Sequence, residues 1–404
     1  MGYCTPIETG RASSRSRRGI GPRRQPRPAV LALAAMALFA LGAPRASAGF
    51  LAPLNFEPGP GAVSVAVGDF NSDGILDLAV ADFTEPGSVS VLLGNGDGSF
   101  QAARKFVTGS EPHSIVAADF NGDGILDLAV ANFLSDTVSI MLGKGDGTFQ
   151  RSGELPCEPY PVALSAGDFN GDGILDLAAV SMGGMSPSAG SVNVLLGNGD
   201  GSFQDPQAYA VGFGPAAVVV GDFNGDHNLD LLIANRGDNT YQPGGVSVLL
   251  GKGDGTFQDA QSEAVGTFPT ALAVGDLKKD GVADIVLTDA HSGTVLVLSG
   301  NGDGTFQPPV SYAVGSGPQS VAIGDFNGDG IPDVAATNRY DGTLSISLGK
   351  GDGTFLVAQS FPAGSGPFFV ATGDFNGDGF LDVAVTNVGS TQSTILLNDG
   401  KWAQ

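Results

Sequence analysis

The chain has 404 residues, of which 63 are glycine, and its formal net charge is −23 because Asp and Glu outnumber Lys and Arg by 42 to 19. A surface this acidic repels phosphates, which argues against nucleic acid or an anionic lipid surface as a partner. Only 15% of the residues are charged and no Pro-rich or Gly-X-Y tract occurs, so the glycines indicate turns between short strands and exclude collagen.

The first 48 residues have the composition of a secretory signal peptide. They contain eight arginines and a single acid, Glu8, followed by a short apolar run at 29–41 and by Ala46-Ser47-Ala48. A basic stretch, an apolar stretch and an A-x-A end predict export, with cleavage before Gly49. An N-terminal membrane anchor is the alternative, but the apolar run is too short to span a bilayer. We therefore expect a secreted protein, either extracellular or at the cell surface.

The segment that remains after cleavage, 49–404, is more acidic than the whole chain. Its 11 basic and 41 acidic residues give a formal charge of −30, and Cys157 is its only cysteine. A single cysteine cannot form an intrachain disulfide, so an exported fold needs another form of cross-link. Divalent cations fit this charge. No later apolar run is long enough to span a membrane. We expect the protein to be a monomer.

A nine-residue motif, read as D-F-N-G-D-G-I-L-D at 119–127, recurs through this segment. Successive copies are separated by 49 to 54 residues, and no linker or change of composition interrupts the series. We therefore interpret 49–404 as a single domain made of seven repeats. The copies begin at Asp69, Asp119, Asp168, Asp222, Asp276, Asp325 and Asp374.

Each repeat predicts four short strands. In the first repeat, alternating apolar residues (63–69) precede the motif, an apolar run (75–81) follows it, and a third strand (88–93) leads into a G-N-G-D-G turn. A weaker fourth strand ends near Val107. Four strands in a unit of about 50 residues without helical periodicity predict an all-β, seven-bladed β-propeller of four-stranded antiparallel blades. A parallel β-helix is the alternative, although its turns are much shorter.

The two ends of the series predict how the ring closes. Phe50 and Phe56 precede Asp69 by the same intervals as Phe100 and Phe106 precede Asp119. Residues 50–56 thus look like the fourth strand of a blade whose first three strands do not precede it. Residues 394–397 look like the third strand of a blade whose fourth strand does not follow it. We expect the N-terminal strand to complete the C-terminal blade, which closes the ring and removes two open sheet edges.

The motif has the ligand pattern of a calcium loop. Calcium prefers six to eight oxygen ligands, and the motif offers side-chain oxygens at positions 1, 3, 5 and 9, a carbonyl at position 7 and a glycine bend at position 6. Hydrogen-bonded turns are the alternative, but a turn needs only one or two such side chains. Six copies have the full set: Asp69, Asn71, Asp73, Asp77; Asp119, Asn121, Asp123, Asp127; Asp168, Asn170, Asp172, Asp176; Asp222, Asn224, Asp226, Asp230; Asp325, Asn327, Asp329, Asp333; and Asp374, Asn376, Asp378, Asp382.

Two copies deviate from the pattern. In the copy at 222–230, His227 replaces the bend glycine, so we expect a weaker site. In the copy at 276–284, Lys278 takes position 3, where its ammonium would neutralise the carboxylates in place of a metal. We therefore expect Ca²⁺ at about five good sites, one impaired site and one site without metal. The second repeated turn, 94–100 in the first repeat, lacks this spacing and predicts a hairpin with a buried Phe.

The D-F-N-G-D-G-x-x-D loops and the L-G-N/K-G-D-G-S/T-F turns resemble those of the FG-GAP/VCBS repeat family, whose blades form the propeller at the head of integrin α subunits. The resemblance covers 50–404. It implies calcium loops on one face, between the first two strands of each blade, and ligands on the opposite face. The family includes adhesion modules, sugar-binding lectins and domains attached to polysaccharide-degrading enzymes. The resemblance therefore implies an extracellular glycan or protein as partner without choosing between them.

On that opposite face, the candidate ligand-binding residues are Arg236, Tyr241, Arg339 and Tyr340, with aromatic residues such as Phe133 nearby. The second strands all end in a polar residue, which is interpreted either as a turn-starting residue or as part of a ring that contacts a ligand. This polar column consists of Asp82, Asn132, Ser181, Asn235, Asp289, Asn338 and Asn387.

The catalytic inventory is thin, and we predict no catalytic residue. The three histidines occupy different positions of their repeats, and the sequence contains no nucleophile elbow, zinc-binding helix motif or P-loop. A binding or adhesion module is the favoured function, with calcium mainly structural. The alternatives are a polysaccharide-active, lyase-like enzyme on a propeller scaffold and a non-catalytic extracellular matrix scaffold.

Overall fold

A computed structural model describes residues 49–184, 189–237 and 243–402. The predicted signal peptide, 1–48, lies outside the described residues. Within the described ranges the regular structure consists of 28 β-strands, numbered β1 to β28 along the chain. They form seven four-stranded antiparallel sheets, one for each repeat. The predicted all-β seven-bladed propeller is confirmed.

In the first six blades, four consecutive strands pair in chain order. Blades one to three contain β2 (Ala62–Gly68), β3 (Asp77–Asp82), β4 (Ser88–Leu92) and β5 (Arg104–Val107); β6 (Pro112–Ala118), β7 (Asp127–Asn132), β8 (Thr137–Gly143) and β9 (Phe149–Pro156); and β10 (Pro161–Gly167), β11 (Asp176–Ser181), β12 (Ala189–Leu195) and β13 (Gln207–Phe213). Blades four to six contain β14 (Pro215–Gly221), β15 (Asp230–Asn235), β16 (Gly245–Leu249) and β17 (Gln261–Ala264); β18 (Pro269–Gly275), β19 (Asp284–Asp289), β20 (Thr294–Leu298) and β21 (Val310–Ala313); and β22 (Pro318–Gly324), β23 (Asp333–Asn338), β24 (Thr343–Ser347) and β25 (Gln359–Pro362).

The seventh blade contains the two ends of the series. It is built from β26 (Pro367–Gly373), β27 (Asp382–Asn387), β28 (Ser393–Leu396) and the N-terminal strand β1 (Leu54–Phe56), in the order β1-β28-β27-β26. Leu54 lies opposite Ile395 and Phe56 lies opposite Ser393. The predicted closure of the ring by the N-terminal strand is therefore confirmed, and the last blade has its fourth strand.

The hydrophobic core lies between the blades. Every residue of each second strand is buried, because both faces of that strand contact a neighbouring blade. One cluster, for example, joins Val63 and Val91 of blade one to Leu128 and Met141 of blade two. This explains why the second strands read as continuous apolar runs, whereas the outermost strands, such as β17, are exposed.

The propeller has two faces with different loops. The nine-residue motifs connect the first and second strands, and the second turns connect the third and fourth strands, so both lie at the same end of each blade; we call this the loop face. At the other end, the start of each first strand lies beside the end of a second strand, as Pro112 does beside Asn132. A central cavity of about 270 Å³ is lined by the first strands of all seven blades near this end, which we call the mouth face.

Candidate functional site

The side chains of each motif fold the loop around themselves. In the second blade, the Asp119 carboxylate accepts the N–H groups of Gly122 at 2.7 Å and Gly124 at 2.8 Å. The side-chain oxygen of Asn121 accepts the N–H of Asp123 at 2.9 Å, and Asp123 accepts the N–H of Ile125 at 2.8 Å. Positions 1, 3 and 5 therefore point their oxygens into the loop, as a cation-binding loop requires, while they also hold its bend.

The bend requires positive φ at two positions, not one. Position 6 adopts it in every loop, and position 4 adopts it as well, usually as glycine but as Ser72 (φ 61°) and Lys279 (φ 56°) in two copies. His227 at position 6 has φ 68°, so the histidine keeps the bend at the energetic cost of a left-handed conformation. Its N–H still bonds Asp222 at 2.9 Å, and its ring lies in solvent, 95% exposed. The weaker site at 222–230 stays a prediction.

The Asp at position 9 has a structural role that the sequence analysis missed. Asp127 is fully buried, and its two oxygens accept the N–H of Phe120 at 3.0 Å and the N–H of Gly143 at 2.8 Å. The carboxylate thus joins the motif to the second turn of the same blade. All seven copies make this pair of bonds: Asp77, Asp127, Asp176, Asp230, Asp284, Asp333 and Asp382.

The pKa of the buried Asp at position 9 is raised first by burial and then by the other carboxylates of its motif. Burial raises the pKa of Asp77; the N–H groups of Gly94 and Phe70 lower it in part, and the charges of Asp73 and Asp69 raise it further. Equivalent causes raise the pKa of Asp333 and of Asp382 to about 6. A divalent cation would relieve this repulsion, because a positive charge favours the ionised form of every carboxylate near it.

The fifth motif contains a cation of its own. The ammonium of Lys278 lies 3.0 Å from Asp280 at position 5 and 3.3 Å from Asp284 at position 9. The hydrogen bond to Asp280 is the largest cause that raises the pKa of Lys278, and the same bond lowers the pKa of Asp280. A positive charge is therefore held between the two carboxylates that the calcium hypothesis assigns to the metal.

The donor set of the other six motifs fits calcium in its chemistry, since it consists of hard oxygens only. In the one motif that lacks Asn at position 3, the ammonium of Lys278 lies between the carboxylates of positions 5 and 9. In the described part of the chain, no three His, Cys, Asp or Glu side chains form a ready-made metal cluster. Calcium binding therefore remains a proposal that rests on donor chemistry and on the position of Lys278.

Replacing this lysine is expected to create a cation site. Lys278→Asn restores the Asp-Asn-Asp-Asp set of the fifth motif, so the variant should bind one more calcium ion per chain than the parent protein does. Equilibrium dialysis with calcium quantified by atomic absorption measures this number. Lys279→Asn changes a neighbouring charge at position 4 and should leave the stoichiometry unchanged. An identical stoichiometry in the Lys278→Asn variant would contradict the assignment of the motif.

The second turns are hydrogen-bonded hairpins, in line with the interpretation that the sequence favoured. Asp146 accepts the N–H of Thr148 at 2.9 Å within the turn. The N–H of Gly147 bonds the carbonyl of Phe70 in the preceding blade at 2.9 Å, and the ring of Phe149 packs edge-on against Phe70 with centroids 5.6 Å apart. The second turn of this blade therefore packs on the motif of its neighbour.

These turn–motif bonds form a belt around the loop face. The bonds run from Gly98 to Phe375, Gly147 to Phe70, Gly201 to Phe120, Gly255 to Phe169 and Gly304 to Phe223. Between blades six and seven the Asn398 side chain donates to the Phe326 carbonyl at 2.6 Å instead. Within the described residues, no such bond joins Gly353 of blade six to Leu277 of blade five, so the belt has a gap there.

On the mouth face, the side chains of the polar column are buried within the blades. Its seven members are between 0% and 4% exposed. The Asn132 amide donates to Thr137 and Ser139, and the Asn235 amide donates to Ser247, all in the third strands of their own blades. Six members thus bond the third strand of their own blade, whereas Asp289 accepts the N–H groups of Thr267 and Phe268. Their burial favours a structural role for the column over contact with a ligand.

The residue that follows each member of the polar column, just after the end of the second strand, belongs to a second set with a shared backbone bond. Each of these residues donates its N–H to the carbonyl that precedes the first strand of its blade, as Arg236 does to Gly214. We call this set the mouth ring: Phe83, Phe133, Met182, Arg236, Ala290, Arg339 and Val388. The ring contains two arginines and no acid, in a protein whose net charge is strongly negative.

Arg236 reaches from the mouth ring into the cavity wall. Its guanidinium lies 5.7 Å from the ring centroid of Phe268, and its Nε is buried without a hydrogen-bond partner. Removal from solvent lowers the pKa of this guanidinium. His113 lines the same cavity and donates from Nδ1 to the Val162 carbonyl at 2.8 Å. Burial and, second, the charge of Arg236 lower the pKa of His113 to about 4, so its imidazole is neutral at neutral pH.

The predicted ligand-binding residues do not form one cluster. Arg236 lines the cavity, whereas Arg339 and Tyr340 border a separate open depression beside Gly366. The Tyr340 side chain in this depression is 74% exposed. Arg339 also lies 5.7 Å from the ring centroid of Phe368, at the edge of the cavity. The fourth predicted residue, Tyr241, lies outside the described residues.

Sequence reasoning missed His113, Phe83 and Phe368 as residues of the mouth. His113 and Phe368 share a register, since each is the second residue of a first strand that opens with proline. The rings of Phe83 and His113 lie 5.9 Å apart, and those of His113 and Phe368 lie 6.5 Å apart. The sequence position directly after the proline that opens a first strand could have identified these aromatic cavity residues.

The thiol of Cys157 is partly buried. Burial raises the pKa of the Cys157 thiol to about 12, so it is not a thiolate at neutral pH. Over the described ranges, no helix has the length and apolar character needed to cross a bilayer.

Solved structures share the fold at low sequence identity. BBS1N, from its complex with ARL6DN, superposes with a TM-score of 0.60 at 13% identity, over 87% of this chain and 97% of that chain. The periplasmic gluconolactonase PpgL of Pseudomonas aeruginosa gives 0.57 at 18%, over 80% and 95%. Virginiamycin B lyase of Staphylococcus aureus gives 0.55 at 10%, over 85% and 98%. These similarities show the fold alone, because both enzymes and a protein solved as a binding partner share it.

No curated protein sequence matches the chain. The FG-GAP-like repeat matches in six consecutive segments, 69–130, 119–179, 180–233, 230–287, 276–336 and 325–385. These segments contain the motifs and second turns described above and extend over most of the propeller. The chain therefore belongs to the FG-GAP-like repeat family.

Proposed function

We propose that the chain is an exported, calcium-stabilised propeller that acts as a binding module for an extracellular glycan or protein. The observation that carries the calcium part is the ammonium of Lys278 between Asp280 and Asp284. One motif supplies its own positive charge, and the other six keep the full set of oxygen donors without it. Bound calcium would neutralise the carboxylates and cross-link each loop.

Calcium in this proposal is mainly structural. The motifs lie on the loop face, and their position 9 carboxylates connect elements of the blade rather than facing a cavity. The ligand would bind on the mouth face, where Arg236, Arg339 and several aromatic rings lie. This division suits an extracellular protein, because calcium is abundant outside cells and the exported segment has no cysteine pair.

The chemistry of the cavity favours binding over catalysis. With a pKa of about 4, His113 is a weak base at neutral pH, whereas a general base works best with a pKa near the working pH. A lyase-like, polysaccharide-active enzyme is the second candidate, since an arginine and an imidazole that line one cavity could act on an acidic sugar. A matrix scaffold without a specific ligand is the third.

A binding screen tests the proposal. The purified chain is presented to glycan and extracellular protein arrays in about 1 mM calcium and again in EDTA. We expect saturable binding of one ligand class that weakens in EDTA, because the fold that carries the mouth loosens. Turnover of a bound polysaccharide would overturn the binding module in favour of the enzyme. Absence of any hit, with the fold intact in calcium, would favour the scaffold.

A further inference from the structure

The side chain of Arg236 places a positive charge in the wall of the central cavity. Among the described residues, no carboxylate forms an ion pair with Arg236, although six ion-pair contacts occur elsewhere. The Nε of Arg236 is buried and makes no hydrogen bond. A buried donor of this kind is costly unless a partner is present. In a chain with 41 acids after residue 48, an arginine in the cavity wall with no ion-pair partner among the described residues is a specific arrangement.

The walls of the cavity limit what could pair with this arginine. The lining is mostly Val, Ala, Leu and Phe side chains from the first strands, with Phe368 and His113 on one side. The hydroxyl oxygens of Ser64 and Ser114 each accept an N–H of the next first strand, and the other polar lining residues are Thr270, Gln319 and Ser320. The volume of about 270 Å³ is at the small end for ligand pockets. The cavity therefore suits a small molecule with one acidic group and a largely apolar body.

We propose that the central cavity binds the carboxylate of a small organic acid, and that Arg236 is the residue that binds it. The inference deepens the proposed function, because it rests on the mouth face being the binding face. A guanidinium presents a planar set of donors that matches a carboxylate in a two-point contact. The neutral His113 adds no competing charge, and the apolar walls strengthen the ion pair by excluding water.

Isothermal titration of the full chain with benzoate and benzamide tests the site. The two probes have the same aromatic body and nearly the same size, and only benzoate carries a negative charge. We expect benzoate to bind with a dissociation constant in the millimolar range or tighter, and at least about ten-fold more tightly than benzamide. Equal binding of the two probes, or binding of neither, would overturn the inference.

Two variants locate the binding to one arginine. Arg236→Gln should weaken benzoate binding at least about ten-fold, whereas Arg236→Lys, which keeps the charge, should retain part of it. Arg104→Gln is the control, because it removes the same charge from an exposed position on the outer strand β5, away from the cavity lining. Unchanged melting temperatures would show that the variants fold. Equal losses in Arg236→Gln and Arg104→Gln would assign the effect to general surface charge and refute the site.

A second probe pair identifies the source of the carboxylate. Galacturonate binding more tightly than galactose would indicate a sugar acid, whereas binding of benzoate alone would indicate a non-sugar acid. The inference and the proposed function can fail separately. A calcium-dependent hit in the screen without carboxylate binding would reject only the cavity site, and carboxylate binding without any calcium effect would reject only the structural role of calcium.

Discussion

Removing calcium is expected to lower the melting temperature of the chain by roughly 15 °C. A site with a dissociation constant near ~10⁻⁴ M contributes about 1.4 kcal/mol in ~1 mM calcium, because the free energy follows RT ln(1 + [L]/Kd). Five such sites would contribute about 7 kcal/mol, which is comparable with the whole net stability of a typical domain. At about 2 °C per kcal/mol for a large domain, the expected shift follows.

Circular dichroism melts in calcium and in EDTA measure this shift. Adding excess calcium back should restore the original melting temperature, whereas magnesium should restore less of it, because Mg²⁺ requires a tighter octahedral geometry. The result would also explain how a propeller with Cys157 as its only cysteine after residue 48 is stable without a disulfide. Identical melting curves in calcium and EDTA would refute a structural role for the ion.

The Asp at position 9 is expected to stabilise the fold even without calcium. Asp176 is fully buried and accepts the N–H of Phe169 at 2.8 Å and the N–H of Gly197 at 2.8 Å. Asp176→Ala leaves both N–H groups buried without a partner, at about 1–3 kcal/mol each, so we expect a loss of about 3 kcal/mol of unfolding free energy. Asp176→Asn keeps one acceptor oxygen and should cost less.

Urea unfolding in EDTA separates this role from cation binding. Asp172 at position 5 of the same motif is exposed and accepts the N–H of Ile174 at 2.8 Å. In EDTA, Asp172→Ala should therefore change the unfolding free energy by no more than about 0.5 kcal/mol. In calcium the same variant should also lose the contribution of its site. If both variants were equally harmless in EDTA, position 9 would have no role beyond the cation.

The fold was predictable because its signals are local and repeated. The alternation before each motif, the apolar run after it and the spacing of Phe50 and Phe56 determine strand number and ring closure. The second role of position 9 was not predictable from the motif, because the partner Gly197 of Asp176 lies 21 residues away in another turn. The cavity is lined by residues from every repeat, so only the closed ring brings Arg236 and His113 into one site.

The gap in the belt sets one boundary of the ring apart from the others. Around the loop face, the motif residue whose carbonyl accepts a bond from the next blade also donates its N–H to the buried Asp of its own blade, as Phe70 does to Asp77. Because one residue makes both bonds, they polarise one another in series. Between Leu277 and Gly353 the series is interrupted within the described residues. At this boundary the Thr270 hydroxyl donates to the Pro318 carbonyl at 3.0 Å and the rings of Tyr312 and Phe355 lie 5.4 Å apart, so blades five and six are joined by side chains where the belt is interrupted.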